Sequence, residues 1–252
     1  MNLVPKNKIY EQPSVFGDES KFGKNSNRLN QMLRLVKQID ITPNRILDVG
    51  CGTGFFSSLL KSIFPNAQVI AIDFSHKALK VAKKKYKNVI FIYADSEKEL
   101  PFANNYFDLI VSGEHIEHLI DTDIYLSEIN RVMKKGGRLI LTTPNLASWF
   151  NRILLLFGKQ PYKTEASFRF TLPIFSLFGK TFPESLNTPA VGHLRVLTLD
   201  MLLKLLKAYG FQTEMKLGRT MLTKPILRQL DYFLSQYPAL ASGILVLSRK
   251  KR

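Results

Sequence analysis

Cysteine is nearly missing from this sequence: one residue, Cys51, among 252. A single thiol excludes an intramolecular disulfide and suits a reducing compartment. Set in a glycine turn, it reads as a small buried residue and not as a nucleophile. Long apolar runs are also absent. None approaches the roughly 18 residues of a membrane-spanning helix, and Met1 to Gln12 are polar, without the apolar centre of a secretory signal. The expected location is therefore cytoplasmic. Acids are scarce, with 20 Asp and Glu against 36 Lys and Arg, for a net charge of +16. That excess asks for an anionic partner, and nucleic acid, an acidic membrane leaflet or an anionic substrate would each satisfy it. A hydrophobic content of 45% excludes wholesale disorder. The length accommodates one α/β domain, alone or with an insertion.

What is present is organised around Ile46-Leu47-Asp48-Val49-Gly50-Cys51-Gly52-Thr53-Gly54. Ile46 to Val49 is too short for a helix and reads as a buried strand. Gly50, Gly52 and Gly54 then make a turn, and helical spacing begins at Phe55, Phe56, Leu59, Leu60 and Ile63. Glycines allow a sharp turn and let a ligand lie against the backbone. The helix start beyond them offers unpaired N–H groups to a carboxylate or other anion. A dinucleotide fingerprint would need glycine at position 55, where Phe55 stands, and no lysine follows Gly54 as a P-loop requires. The string D-x-G-x-G-x-G resembles motif I of the class I S-adenosylmethionine-dependent methyltransferases. That likeness implies an S-adenosylmethionine cofactor held by Asp48, Gly50, Cys51, Gly52 and Gly54.

Further along, Gln68 to Asp73 is a second strand ending on a carboxylate. Asp73 lies about twenty residues past the glycines, where an acid at a strand's C-terminal end takes two ribose hydroxyls. Phe74 can pack on an adenine face or simply in the core. Ser75 caps a helix whose apolar side is Ala78, Leu79, Val81, Ala82 and Tyr86, with lysines 77, 80, 83, 84, 85 and 87 as its solvated face. Val89 to Ala94 is the third strand, followed by Asp95 and Ser96 and by Leu100-Pro101-Phe102. In the family that it resembles, the acid in this A-D-x-x-x-x-L-P-F setting bonds the adenine amino group. Phe107 to Ser112 is the fourth strand, whose Asp108 fits the family's F-D-x-I/V pattern.

Gly113-Glu114-His115-Ile116-Glu117-His118-Leu119 follows, and resembles the E-x-x-E-H-L turn of the ubiquinone-biosynthesis-like group of small-molecule methyltransferases. Ser112, Gly113 and Glu114 would line the donor's amino-acid end. His115 and His118 are candidate general bases, since neutral imidazole is matched to removing a hydroxyl proton near pH 7. Metal ligation is not expected, because H-E-x-x-H is absent and no third ligand stands nearby in sequence. Thr122 to Met133 reads as a helix capped by Asp121 or Thr122 and stopped by Gly136-Gly137. Arg138 to Thr143 is the fifth strand.

Residues 146 to 197 depart from a minimal domain. They hold Trp149, at least five phenylalanines, Pro161, Pro173, Pro183 and Pro189, and read as a substrate cap. The apolar stretch from Trp149 to Phe157 is only about ten residues long, which suits a packed or interfacial helix. His193-Leu194-Arg195-x-x-Thr198 before A-Y-G-F resembles a signature of glycan- and quinone-type enzymes and adds His193 as a third candidate base. Thr198 caps a helix ending at Gly210, and Phe211 to Leu217 and Ile244 to Ser248 are the last strands. At the other end, Leu29, Met32, Leu33, Val36 and Ile39 give a helix, from whose neighbourhood Tyr10, Lys21 and Arg28 can reach a cofactor carboxylate.

The expectation is a Rossmann-like α/β fold. It has a seven-stranded, mostly parallel sheet with its last strand antiparallel, helices on both faces, and a helical or loop cap after the fifth strand. Residues 1–44 form an N-terminal cap segment and residues 45–252 the methyltransferase domain, with the 146–197 insertion over the crevice. The implied activity is methyl transfer to an oxygen of a small, partly apolar, lipid- or glycan-linked acceptor, with peripheral contact at an anionic membrane. Nucleic acid is disfavoured as a partner, because Ser112-Gly113-Glu114-His115 stands where enzymes acting on base amino groups carry [DNS]-P-P-Y. A non-catalytic S-adenosylmethionine-binding protein is the other alternative.

Overall fold

The computed structural model describes residues 27–167, 172, 174–177, 180–182, 192–220 and 225–251. Tyr10, Lys21, Pro173, Pro183 and Pro189 lie outside the described residues. Strand β1 (Arg45–Val49) is buried at four of its five positions. It lies between two parallel neighbours, β2 (Gln68–Asp73) and β4 (Phe107–Gly113). Beyond them run β3 (Ile90–Tyr93), β5 (Met133–Pro144), β8 (Phe211–Arg219) and β9 (Gly243–Lys250), in the spatial order β3-β2-β1-β4-β5-β9-β8. Strand β9 runs antiparallel to both its neighbours, β5 and β8, and the sheet's remaining pairs are parallel. The seven-stranded, mostly parallel sheet with an antiparallel last strand is thus as expected.

Side chains alternate across the sheet with the period of two that strands impose. Leu47, Val49, Ile72, Ile110 and Leu141 face a core closed by α4 (Thr122–Val132) and α6 (Leu199–Ala208), through Tyr125, Ile129, Leu202 and Leu206. Ile46, Ala71, Val111 and Leu245 face the other core. That side is closed by α1 (Asn27–Gln38), α2 (Phe55–Ile63) and α3 (His76–Lys85), through Met32, Leu35, Leu60 and Ala82. Burial on both faces is what a parallel sheet with crossover helices requires. From β1 the chain steps outward to β2 and β3, then returns to β4 on the other side of β1. The reversal opens a crevice at the C-terminal ends of β1 and β4, the usual ligand site of such sheets.

Several local expectations hold. Ser75 Oγ accepts from Ala78 N–H, Asp121 caps α4, and Thr198 Oγ1 accepts from Met201 N–H at the start of α6. Others change. Val81 is 50% exposed, because it sits about 100° around the helix from Ala82 and points outward while Ala78, Leu79 and Ala82 face the sheet. Gly136 and Gly137 do not stop α4, which ends at Val132. They lie within β5, where the pairing with β4 shifts register between Phe107 and Leu109. Asp108 holds this corner together: its carboxylate accepts from Asn44 and Arg45 N–H and from Lys134 Nζ.

The chain after β5 contains α5 (Trp149–Leu156) and a short ladder of β6 (Phe175–Leu177) with β7 (Lys180–Phe182), and α7 (Pro225–Leu234) precedes β9. Neither the ladder nor α7 was apparent from the sequence.

Candidate functional site

The glycine turn leaves β1 with Gly50 at φ +71° and Gly52 at φ +53°, a region side chains rarely adopt. Gly50 and Cys51 N–H both donate to Ile72 C=O at 2.9 and 3.0 Å, tying the turn to β2. Asp73, at the end of β2, accepts from Gly52 N–H at 2.8 Å and from Ser75 N–H at 2.8 Å. Asp73 and the glycines therefore meet at one end of the sheet. A side chain at Gly50 would strike the His115 ring, 2.5 Å from Nδ1, whereas one at Gly52 would meet nothing within 4 Å. Gly50 is thus required by the fold, and Gly52 faces open space. Cys51 is buried beside them. Asp48 accepts from Ser57 Oγ at 2.6 Å and fastens β1 to the first turn of α2.

The exit of β3 stands beside Asp73, whose carbonyl accepts from Ala94 N–H. Asp95 follows, its carboxylate accepting from Glu97 N–H. Ser96 Oγ shares a 2.8 Å hydrogen bond with His115 Nε2. Phe74 leans on Tyr93 with centroids 5.8 Å apart, and Tyr93 stacks on His76 at 4.0 Å. On the other side, Arg28, Leu29 and Met32 of α1 line one cleft with Asp48, Gly50, Cys51, Phe56 and Gly113. Of the three groups named for a cofactor carboxylate, Arg28 thus stands at the glycine turn.

Beyond β4 the polar groups are more deeply set. Ser112 is buried in register between Val49 and Leu141. Glu114, at φ +54°, forms a 2.6 Å ion pair with Arg219 Nη2, the side chains 21% and 6% exposed. Burial pushes the Glu114 carboxyl upward, but the charges of Arg219 and Arg28 outweigh it and hold the group below the usual carboxylate range. Arg219 carries no motif. Its only trace in the sequence is Gly243, where a side chain would come within 2.9 Å of the guanidinium.

Glu117 is fully buried. Its Oε2 accepts from Thr143 Oγ1 at 3.0 Å and its Oε1 makes no hydrogen bond. Burial first, and the charge of Glu114 second, raise this carboxyl well above its ordinary value. The backbone carbonyl of Glu117 accepts from Leu194 and Arg195 N–H at 2.7 and 2.9 Å. Arg195 Nε donates to Ile120 C=O at 2.8 Å. This docking explains the H-x-R spacing: it pins residues 192–195 on the turn and lays His193 against His118, ring centroids 4.9 Å apart.

His118 Nδ1 bonds Gly192 C=O at 3.2 Å. Glu165 accepts from Gly192 N–H and stands 3.6 Å from His193 Nδ1. Burial, helped by charge on His118 and Lys163, depresses His193 to about 3, so its imidazole is neutral at physiological pH. Of the three candidate bases, His118 and His193 come together, and His115 stands apart against Gly50 and Ser96.

A family model described as a methyltransferase domain matches residues 43–168, half of the chain. A malonyl-[acyl-carrier protein] O-methyltransferase of Legionella pneumophila is 38% identical over 117 residues, covering 45% of this chain and 41% of the relative. A demethylmenaquinone methyltransferase of Staphylococcus carnosus is 33% identical over 156 residues, covering 60% of each. The chain thus matches only part of each relative's length. Among solved structures, an S-adenosylmethionine-dependent methyltransferase of Thermotoga maritima superposes with a TM-score of 0.62 at 20% identity, covering 98% of this chain and 100% of that one, a likeness of fold alone. With its D-x-G-x-G-x-G turn set against Asp73 at the switch point of the sheet, the chain belongs to the S-adenosylmethionine-dependent methyltransferase domain family.

Proposed function

We propose that this protein transfers a methyl group from S-adenosylmethionine to an oxygen of a small, partly apolar acceptor that is lipid- or glycan-linked. Support for the donor comes from the fit of the cleft. Gly52 faces open space where a ligand would lie along the turn, Asp73 presents a carboxylate at that turn, and Arg28 stands at its far end. In this reading Gly50, Gly52 and Gly54, with Asp48 and Cys51, hold the methionine portion. Asp73 takes the ribose, Phe74, Asp95 and Ser96 surround the adenine, and Ser112, Gly113 and Glu114 line the amino-acid end with Arg28 opposite the carboxylate. When bound, the donor supplies an intrinsically reactive sulfonium methyl, so alignment and exclusion of water are the protein's chief tasks.

The acceptor side rests on one observation: residues 192–195 are hydrogen-bonded onto the turn after β4, which sets His118 and His193 at the exit of that strand. Residues 1–44 act as an N-terminal cap segment, and residues 146–197 cover the acceptor. The relatives' names speak of a malonyl-[acyl-carrier protein] O-methyltransferase and of demethylmenaquinone, carrier-linked and quinone molecules compatible with this class. The apolar faces of α5 and α7 favour work at an anionic membrane surface.

The test has two arms. Calorimetric titration with S-adenosylmethionine, with NAD as control, must show binding of the first alone. Transfer of tritiated methyl into lipid, glycan and RNA extracts must label the lipid or glycan fraction, with the label lost in Asp73→Ala and Asp73→Asn. Label confined to RNA would overturn the acceptor, and silence toward S-adenosylmethionine would overturn the whole reading.

A further inference from the structure

We infer that Glu117, His118 and His193 form a binding site for one divalent transition-metal ion of the zinc or ferrous kind. One ligand atom from each lies within 4.8 Å of the other two, and no other three His, Cys, Asp or Glu side chains gather in this way among the described residues. Modest rotations of the rings close that spacing to the ~3–3.5 Å between ligands held about 2.1 Å from one ion.

Two further observations point to a ligand here. Glu117 Oε1 and His193 Nδ1 are buried without a hydrogen bond, on side chains 0% and 7% exposed. Buried polar atoms are satisfied in the great majority of cases, so two neighbouring exceptions mark a missing partner. Two of the three ligands also have the outer partner that fixes a ligand's orientation at a metal centre. Thr143 Oγ1 donates to Glu117 Oε2. A carbonyl can only accept, so Gly192 C=O places a proton on His118 Nδ1 and leaves the lone pair of the neutral ring on Nε2. Glu165 Oε1, 3.6 Å from His193 Nδ1, adds a second carboxylate beside that nitrogen.

Two imidazoles and one carboxylate suit borderline ions such as Zn²⁺ or Fe²⁺ and leave coordination positions open. The sequence concealed the set, because its third member comes from a segment remote from the turn. The role of the ion rests on the proposed methyl transfer. A coordinated acceptor hydroxyl releases its proton to water, and its oxygen pair forms the new O–CH₃ bond as the C–S bond breaks and leaves its pair on sulfur. His118 and His193 are then ligands and not bases.

The full chain, stripped with chelator, would be titrated with Co²⁺ while its visible absorption is followed, and Zn²⁺ would be used to displace it. One Co²⁺ per chain with the intense visible bands of low coordination is expected. Glu117→Gln, His118→Ala and His193→Ala should each weaken binding about ten-fold or more, while His76→Ala should leave it unchanged. Glu117→Gln preserves the shape of the side chain and so keeps the fold, which circular dichroism would check. No cobalt bands in the parent protein, or unchanged affinity in a folded Glu117→Gln together with His193→Ala, would overturn the site. Calorimetry with S-adenosylmethionine reads the other claim separately: cobalt binding without donor binding sinks the methyl-transfer role and leaves the metal site standing.

Discussion

At the scale of single residues, the glycine turn separates what the fold needs from what a ligand needs. Gly50→Ala combines a left-handed backbone with a collision against His115, and we expect a stability loss of about 2–4 kcal/mol in urea unfolding. Gly52→Ala meets no atom of the fold, so its stability cost is only the left-handed strain of about 1–2 kcal/mol. Its effect should fall on the donor, with affinity for S-adenosylmethionine lowered about ten-fold or more by calorimetry. Equal loss of donor affinity and stability at both positions would contradict this division. Arg219 is the other decisive residue. Arg219→Met would take the ion-pair partner from the partly buried Glu114 carboxylate and leave it only the more distant charge of Arg28, for a loss of about 1–3 kcal/mol. Arg219→Lys should recover part of that loss, since charge returns without the planar fork.

At the scale of elements, two helices are held by polar side chains where apolar contact alone would let them slide. Asp231 of α7 is buried and accepts from Trp149 Nε1 of α5 and from Ser242 Oγ just before β9. Asp231→Ala strands both donors, for about 1–3 kcal/mol each, and should lower the melting temperature without altering the β1–β4 crevice. In α4, Glu128 accepts from Leu100 N–H and pairs with Arg131, which in turn reaches the carbonyls of Leu100 and Phe102. The hydrogen bond from Arg131 comes first among the causes that hold the Glu128 carboxyl below its usual value, against a smaller upward push from burial. The folded-state pKa is therefore depressed, and the stabilisation is present above the unfolded value near 4.5 and lost as pH falls through the lower one. Urea unfolding of the parent and of Glu128→Gln should differ most at neutral pH and converge on acidification.

For the whole molecule, charge and exposed apolar surface point the same way. Lysines 77, 80, 83, 84 and 85 of α3 are exposed. Leu156 and Phe157 at the end of α5 are 80% and 71% exposed, and Leu230, Tyr232 and Phe233 of α7 also reach solvent. The two helices are adjacent, joined through Leu154, Leu227 and Leu234. No helix among the described residues is long and apolar enough to cross a membrane, so contact would be interfacial. Binding to anionic vesicles at low salt, weakened by added salt and by Phe157→Glu with Phe233→Glu, is the expected outcome. Sedimentation with neutral and anionic vesicles reads it. Equal binding to both kinds, or none to either, would remove the membrane reading.

The strands around Gly50, Asp73 and Asp95 were legible because each signal is local: an apolar run, a turn residue and an acid follow one another within a few positions. The helix caps at Ser75, Asp121 and Thr198 were legible for the same reason. Gly136 and Gly137 misled, since a glycine pair marks a helix stop and a strand irregularity alike, and only the pairing of β4 with β5 distinguishes them. Val81 misled because one helical position turns a side chain from core to solvent. The amino-acid order alone thus determined the class of fold and the meeting of the glycine turn with Asp73, where each signal is local in sequence. The tertiary structure alone decided that Arg219 meets Glu114 and that His193 reaches Glu117 and His118, because those encounters depend on the position of β9 between β5 and β8 and on the docking of residues 192–195.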